Sequence, residues 1–218
     1  MARYFEYGDE ELEYLKARDP KLGAAIDAIG HVQREMDEAD LFCSVVHQIV
    51  GQQISGAALV TVWARLVELL GEVTPQAVDA FSLEEIQSCG MTYKKSEYIK
   101  GFAGKVLSGE FDLDAVEHMD DAEAIRALSA LPGIGEWTAE MLLLFCLGRP
   151  DVLSFGDLAI HRGMRALYHH RKVTRQMFEK YRRRYSPYGS VASIYLWRLS
   201  RLDVPGYERD FAPKKKRR

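Results

Sequence analysis

The amino-acid sequence predicts an all-α fold, on three observations. Apolar residues recur at helical spacing, as in Leu41, Phe42, Val45, Val46, Ile49 and Val50. Helix-starting signals repeat along the chain: a capping residue followed by proline, or a serine followed three residues later by glutamate. No segment shows the period-two alternation that a half-buried strand requires.

The helices follow in order. Asp19-Pro20 sets a capping carboxylate before a proline at the first helical position. The apolar stripe of residues 41–51 makes the next helix. Ser55 caps one that runs to about Leu70, where Gly71 ends it. Thr74-Pro75 opens a short helix, and Ser82-Leu83-Glu84-Glu85 opens another with a capping box. Further helices are expected near 95–107, 121–130, 136–147, 157–168, 174–185 and 190–200. There is no internal repeat. The one biased stretch is the basic end, residues 213–218, expected to be disordered.

With 218 residues the chain can form one large domain or two small lobes with real cores. Its 47% hydrophobic and 28% charged residues fit a globular protein and exclude a disordered one. No apolar run is long enough to span a bilayer, and Met1-Ala2-Arg3-Tyr4-Phe5-Glu6 lacks the apolar stretch of a signal peptide. An intracellular location away from membranes is the expectation. Cys43, Cys89 and Cys146 are far apart and form no CxxC pair. They read as reduced, partly buried thiols; a disulfide framework, a zinc site and an iron–sulfur site are not expected. His161, His169 and His170 lack a metal-ligand pattern and read as surface residues.

Charge is unevenly spread. The net charge is −3, yet residues 161–218 hold 17 lysines and arginines against 4 carboxylates. Residues 51–160 hold 7 against 17. A basic end of this kind can meet phosphates, and a solvated helix face at Arg182-Arg183-Arg184 is the equal alternative.

The segment Leu131-Pro132-Gly133-Ile134-Gly135-Glu136-Trp137-Thr138-Ala139 reads as a tight hairpin between two helices, with two glycines at its tip. Outward backbone N–H groups on such a hairpin can hold a phosphate without side-chain charge. About twenty residues later Asp157 supplies one carboxylate at the start of another helix. A carboxylate near a gripped phosphate can act on the attached sugar. The pairing suggests an enzyme that holds a DNA backbone and breaks a bond at a nucleotide.

Three segments carry a family resemblance: the hairpin, Val50-Gly51-Gln52-Gln53-Ile54-Ser55, and Ser154-Phe155-Gly156-Asp157-Leu158-Ala159-Ile160-His161-Arg162. Together they resemble the helix-hairpin-helix superfamily of DNA glycosylases. The likeness is strongest to its alkylation-repair branch, the 3-methyladenine DNA glycosylase II type, and covers about residues 41–199. It implies two helical lobes with a DNA cleft between them. Residues 1–40 and 166–212 would form one lobe, 41–165 the other with the hairpin, and 213–218 a disordered tail.

The resemblance also assigns roles. Asp157 would be catalytic, its rival reading being a plain helix cap. Trp137, Trp197 and Met141 would line the base pocket, Met141 standing where some relatives are aromatic; the rival for both tryptophans is a core position. Gly133, Ile134, Gly135, Thr138 and Lys95 would contact DNA. Gln53 and Ile54 are alternative wedges for the gap left by a flipped nucleotide. At position 137 strand-cutting relatives carry a lysine that attacks the sugar; an indole has no nucleophile, so base removal without lyase chemistry is implied. No cofactor is implied, apart from a candidate monovalent cation bridging the hairpin and a DNA phosphate. The implied partner is damaged double-stranded DNA, bound by a monomer. Gly156 departs from relatives that carry a second aspartate before the catalytic one. A glycosylase for neutral lesions such as uracil, and a non-catalytic DNA-binding module, are the alternatives.

Overall fold

The structure, a computed structural model, describes residues 3–37 and 39–213. The described residues hold thirteen α-helices: α1 (Asp9–Arg18), α2 (Pro20–Ile29), α3 (Leu41–Gly51), α4 (Gly56–Leu70), α5 (Pro75–Ala80), α6 (Leu83–Ser88) and α7 (Tyr93–Leu107), followed by α8 (Leu113–His118), α9 (Asp121–Ser129), α10 (Glu136–Phe145), α11 (Leu158–Tyr168), α12 (Arg175–Tyr185) and α13 (Gly189–Leu199). Among those residues the β-type pairing is one isolated antiparallel bridge, Tyr4 with Glu35. No helix there is long and apolar enough to cross a membrane.

Short polar side chains start most of these helices. Asp19, Asp40, Ser55, Thr74, Ser82, Thr92, Asp112, Asp120, Asp157 and Thr174 each accept a hydrogen bond from a first-turn amide. Each such cap contributes about 1 kcal/mol by satisfying an otherwise orphaned donor. Two helices escape the sequence patterns. In α1 Leu15 alone is buried, so no apolar stripe announces it. At six residues, α8 is too short to show a period.

The chain divides into two compact units: residues up to 36 together with those from 148 onward, and residues 37–147. In the second unit α3, α5 and α6 pack on α7, and α9 and α3 pack on α10. Its core includes Phe42 stacked on Phe102 at 4.9 Å, with Ile49, Leu66, Ile99, Leu128 and Leu142 fully buried. Each such aliphatic side chain contributes about 1.5–3 kcal/mol by leaving water. Cys43 is half-buried, and Cys89 and Cys146 are buried, all three outside any disulfide.

The other unit joins the two ends of the chain. Helix α11 packs on α13 and α2, and α12 packs on α1 and α13. A boundary at 165 is expected from sequence; the packing puts it at 147 and so takes the Asp157 loop and all of α11 into this unit. The cause is the α11–α13 contact. At Gly163 a Cβ would lie 2.1 Å from the Leu196 carbonyl oxygen, so the two backbones approach closer than any side chain permits. The basic segment from Lys214 to Arg218 lies outside the described residues.

Asp19 knots this unit. It is 1% exposed and caps α2 through the amides of Lys21 and Leu22. Its other oxygen accepts from the Tyr168 hydroxyl at 2.7 Å and from Arg184 at 2.5 Å. Tyr168 and Tyr185 share a hydrogen bond, and burial pushes both phenols far above their ordinary range. Arg184 thus leaves the solvated face expected for Arg182-Arg183-Arg184 and turns inward. Asp19→Asn keeps the cap acceptor but removes the charge opposite Arg184. It is expected to lower unfolding stability by about 1–2 kcal/mol, read from urea denaturation; an unchanged midpoint would mean the knot contributes nothing.

Candidate functional site

The hairpin between α9 and α10 is shaped by what its residues cannot do. Gly133 sits at φ +89, and a Cβ there would meet the Tyr98 ring at 2.5 Å. A side chain is excluded by both conformation and space. Ile134 turns its side chain into the core, 4% exposed, and its amide donates to the Leu131 carbonyl at 3.0 Å. Gly135 is exposed in ordinary extended conformation, φ −93 and ψ 169, and caps α10 with no side-chain hydrogen bond. Unlike the ten helices with polar caps, α10 takes no side-chain hydrogen bond from its cap residue. The positive end of the helix dipole and the first-turn amides face outward from a glycine, an arrangement suited to an anion.

Beside the hairpin lies the turn between α3 and α4. Gln53 is exposed at its apex with φ +56, a left-handed conformation that is strained for a residue with a side chain. Ile54 follows, 38% exposed. Two polar side chains hold this turn. Gln52 donates through Nε2 to the Gly133 carbonyl at 2.6 Å. The Lys95 ammonium donates to the carbonyls of Val50 and Gln52 at 2.8 and 2.7 Å, and burial lowers its pKa.

The same unit contains a cavity of about 500 Å³ lined by His47, Gln48, Gln52, Leu59, Trp137 and Thr138, among others. That volume suits a nucleobase-sized ligand with room to spare. Trp137, in the first turn of α10, is 44% exposed and offers a broad aromatic surface. His47 meets Trp63 edge to face at 4.7 Å, and burial holds it below its ordinary pKa despite the opposing pull of Asp37. Burial thus favours the uncharged form of this imidazole. Burial, Asp40 and Asp37 push the Cys43 thiol up to about 11, so it supplies no thiolate nucleophile near pH 7.

Asp157 belongs to the other unit. It is 7% exposed and caps α11, its Oδ1 accepting from the amides of Ala159 and Ile160 at 2.7 and 2.9 Å. The loop before it is anchored by aromatics. The His161 ring meets the Phe155 carbonyl through Nε2 at 2.8 Å, its ring packing against Phe155 and Phe178. The Arg175 guanidinium lies over the Phe155 ring at 4.7 Å. The loop before the carboxylate is thus tied to α11 and α12 through Phe155.

Residues 46–187 match the model of the HhH-GPD superfamily of base excision DNA repair proteins. The chain belongs to that superfamily. DNA-3-methyladenine glycosylase 1 of Schizosaccharomyces pombe is 27% identical over 209 residues, covering 93% of this chain and 91% of its own. DNA-3-methyladenine glycosylase 2 of Escherichia coli is 27% identical over 169 residues, 72% of this chain and 57% of its own. Among solved structures, a DNA-3-methyladenine glycosidase from Bacillus halodurans superposes with a TM-score of 0.82 at 34% identity, over 91% of this chain and 92% of that one. The Schizosaccharomyces pombe 3-methyladenine DNA glycosylase in complex with abasic DNA gives 0.75 at 26% identity, over 89% and 98%.

Within this HhH-GPD chain the residues expected from sequence separate into groups. Gly135, Trp137, Thr138, Gln53 and Ile54 sit together around the hairpin, the turn and the cavity. Met141 does not line that cavity; at 4% exposure it packs into the core on the inner face of α10. Ile134 and Gly133 build the hairpin, their amide and carbonyl respectively being used internally. Lys95 spends two donors on the turn. Trp197 lies in the Asp157 unit, partly exposed, with the Arg34 guanidinium over its ring at 5.3 Å. His161 and His170 are half-buried and bonded, His170 to the Tyr181 hydroxyl, not plain surface residues. His47, Gln48 and Tyr98 were not singled out by sequence. A signal existed for the first two: positions 47, 48, 51 and 52 share the helix face opposite the apolar stripe of α3.

Proposed function

We propose that this chain is a monofunctional DNA glycosylase of base excision repair that flips alkylated purines of the 3-methyladenine and 7-methylguanine type out of duplex DNA and hydrolyses their glycosidic bond. The supporting observation is the start of α10. A helix capped by a bare glycine offers a phosphate grip, and two residues later Trp137 opens onto a cavity of nucleobase size.

The chemistry fits this pairing. Alkylation at N3 or N7 leaves a cationic purine, already a good leaving group. The base must leave the stack before its glycosidic bond is accessible. A flipped cation is attracted to an exposed indole face by about 0.5–2 kcal/mol. As the bond from C1′ to the base breaks, positive charge gathers on the sugar, as in other glycoside cleavages. Asp157 is assigned to stabilise that charge and to orient the water whose oxygen bonds to C1′. The products are the free base and an abasic sugar, the strand staying intact. Burial favours the uncharged form of His47, which eases the approach of a cationic base to this cavity.

A monovalent cation at the hairpin would be held by main-chain carbonyls. The carbonyls of Leu131 and Gly133, which accept from the Ile134 amide and from Gln52, would hold such an ion through a further lone pair, and the ion would supply positive charge for a phosphate. It would bridge the hairpin to a phosphate and take no part in bond cleavage.

The test is base release from methylated duplex DNA, measured by chromatography, beside a uracil-containing duplex. Release of methylated purines with uracil untouched is expected; the reverse pattern, or no release from either, would overturn the reading. Strand cutting is a separate expectation. Trp137 stands where a Schiff-base lysine would be needed, Lys95 is engaged with two carbonyls, and Lys94 lies 5.7 Å from the Tyr98 ring centre. Borohydride added during turnover should therefore trap no covalent protein–DNA adduct. A stoichiometric adduct would show that some lysine attacks the sugar and that the enzyme is bifunctional.

A further inference from the structure

The structure assigns Gln52 and Lys95 a joint role as positioning residues: they lock the Gln53 turn to the hairpin, so that gripping a phosphate and presenting the Gln53 side chain become one event. This inference rests on the reading of the hairpin and turn as the DNA-contacting elements.

The link is built from two hydrogen-bond sets that meet at one turn. Lys95 donates to the carbonyls of Val50 and Gln52, and Gln52 in turn donates to the Gly133 carbonyl at the hairpin tip. The N-terminal part of α7 is the platform for both elements. Thr92 caps it, Tyr98 packs against Gly133, and Lys95 reaches under the turn. The hairpin, the turn and this platform surround one groove of about 420 Å³ that includes Gln52, Gln53, Lys94, Lys95, Tyr98 and Gly133.

Two features indicate that this is more than packing. First, Gln53 holds a left-handed backbone at φ +56. A non-glycine residue stays there only where its surroundings over-determine it, and Lys95 fixes the Val50 and Gln52 carbonyls in the segment leading into it. Second, the ammonium is partly withdrawn from water to do so, which lowers its pKa. A lysine that merely steered DNA would gain by staying exposed. Without the lock, the turn could relax to an ordinary conformation with its apex side chain re-aimed, while the hairpin still held its phosphate. The lock therefore belongs to base displacement and not to duplex affinity.

The test uses Gln52→Glu, Lys95→Met and Lys95→Arg in the full chain. Gln52→Glu is isosteric and replaces the donor facing Gly133 with an acceptor. Affinity for undamaged duplex is measured by anisotropy. Turn insertion is read from 2-aminopurine emission opposite an abasic analogue, and chemistry from single-turnover release of 7-methylguanine. Gln52→Glu and Lys95→Met are expected to keep duplex affinity within about twofold, since phosphate contacts position the protein independently of the turn. They should lose roughly tenfold in both the emission change and the single-turnover rate, the scale of one hydrogen bond. The two losses should not add, because both act through one turn. Lys95→Arg, with donors for both carbonyls, should recover most of the loss.

Equal losses in affinity and rate, no loss in either, or no recovery in Lys95→Arg would overturn the lock. Gln52→Glu alone decides the matter if Lys95→Met does not fold. If the unmodified enzyme releases no base but changes the 2-aminopurine emission, the proposed reaction fails and the lock is still tested by the emission.

Discussion

Asp157→Asn should leave the protein folded and bound to DNA while removing most of its base release. The expected loss is about 2–4 kcal/mol of transition-state stabilisation, roughly 30- to 1,000-fold in single-turnover rate. The choice of asparagine follows from the cap. Asp157 Oδ1 accepts from the amides of Ala159 and Ile160, and a carboxamide oxygen can accept the same two bonds. Helix α11 then starts where it does now, at a cost of about 0.3–1 kcal/mol for the lost charge at its positive end. Alanine would remove cap and charge together and confuse the two. Base release, thermal unfolding and affinity for an abasic-analogue duplex separate the effects. Asp157→Asn excising 3-methyladenine within about twofold of the unmodified rate would remove this carboxylate from the mechanism, since no single electrostatic stabiliser of that kind is so dispensable.

That Asp157 is both a cap and a catalytic candidate shows what a sequence can and cannot display. Cap signals are local, and Asp19-Pro20, Thr74-Pro75 and Ser82 with Glu85 each start a helix where local chemistry says they should. The hairpin is legible for the same reason: two glycines, a proline and an apolar anchor define it within nine residues. Side-chain direction is not local. Nothing in the sequence tells that Lys95 turns under the Gln53 turn instead of toward solvent, or that Arg184 leaves its two arginine neighbours for Asp19. The resemblance marks Met141 and Ile134 as site residues, yet Met141 lies on the buried face of α10 and Ile134, in the hairpin before it, turns its side chain into the core. The division of the chain escapes for a related reason. Gly163 reads as a helix weakener until α13 is seen against it, with the Leu196 carbonyl where a Cβ would be. Helix α1 escapes because its charges surround it and Leu15 alone is covered.

Gly135→Asp is expected to move stability and DNA affinity in opposite directions. The backbone at Gly135 is extended, φ −93 and ψ 169, and a Cβ there meets nothing within 4 Å. Any residue fits. Aspartate is among the best N-caps, and its carboxylate can accept from first-turn amides to which glycine offers no side-chain acceptor. Relative to glycine the gain is a few tenths of a kcal/mol, with a further favourable term from the helix dipole. The same carboxylate occupies the place of an anion and repels the one that should bind there. Opposed like charges at an interface cost several kcal/mol, so affinity should fall by roughly a hundredfold, about 3 kcal/mol. Damaged and undamaged duplexes should suffer alike, because a phosphate contact carries no sequence information. Gly135→Asn separates the two causes: it fills the cap without charge and should fall between glycine and aspartate. Thermal unfolding gives the first quantity and anisotropy titration across a salt series the second, with a shallower salt slope expected for the loss of one phosphate contact. Gly135→Asp binding duplex as tightly as the unmodified protein at moderate salt would make the hairpin a structural turn and move the DNA contact elsewhere.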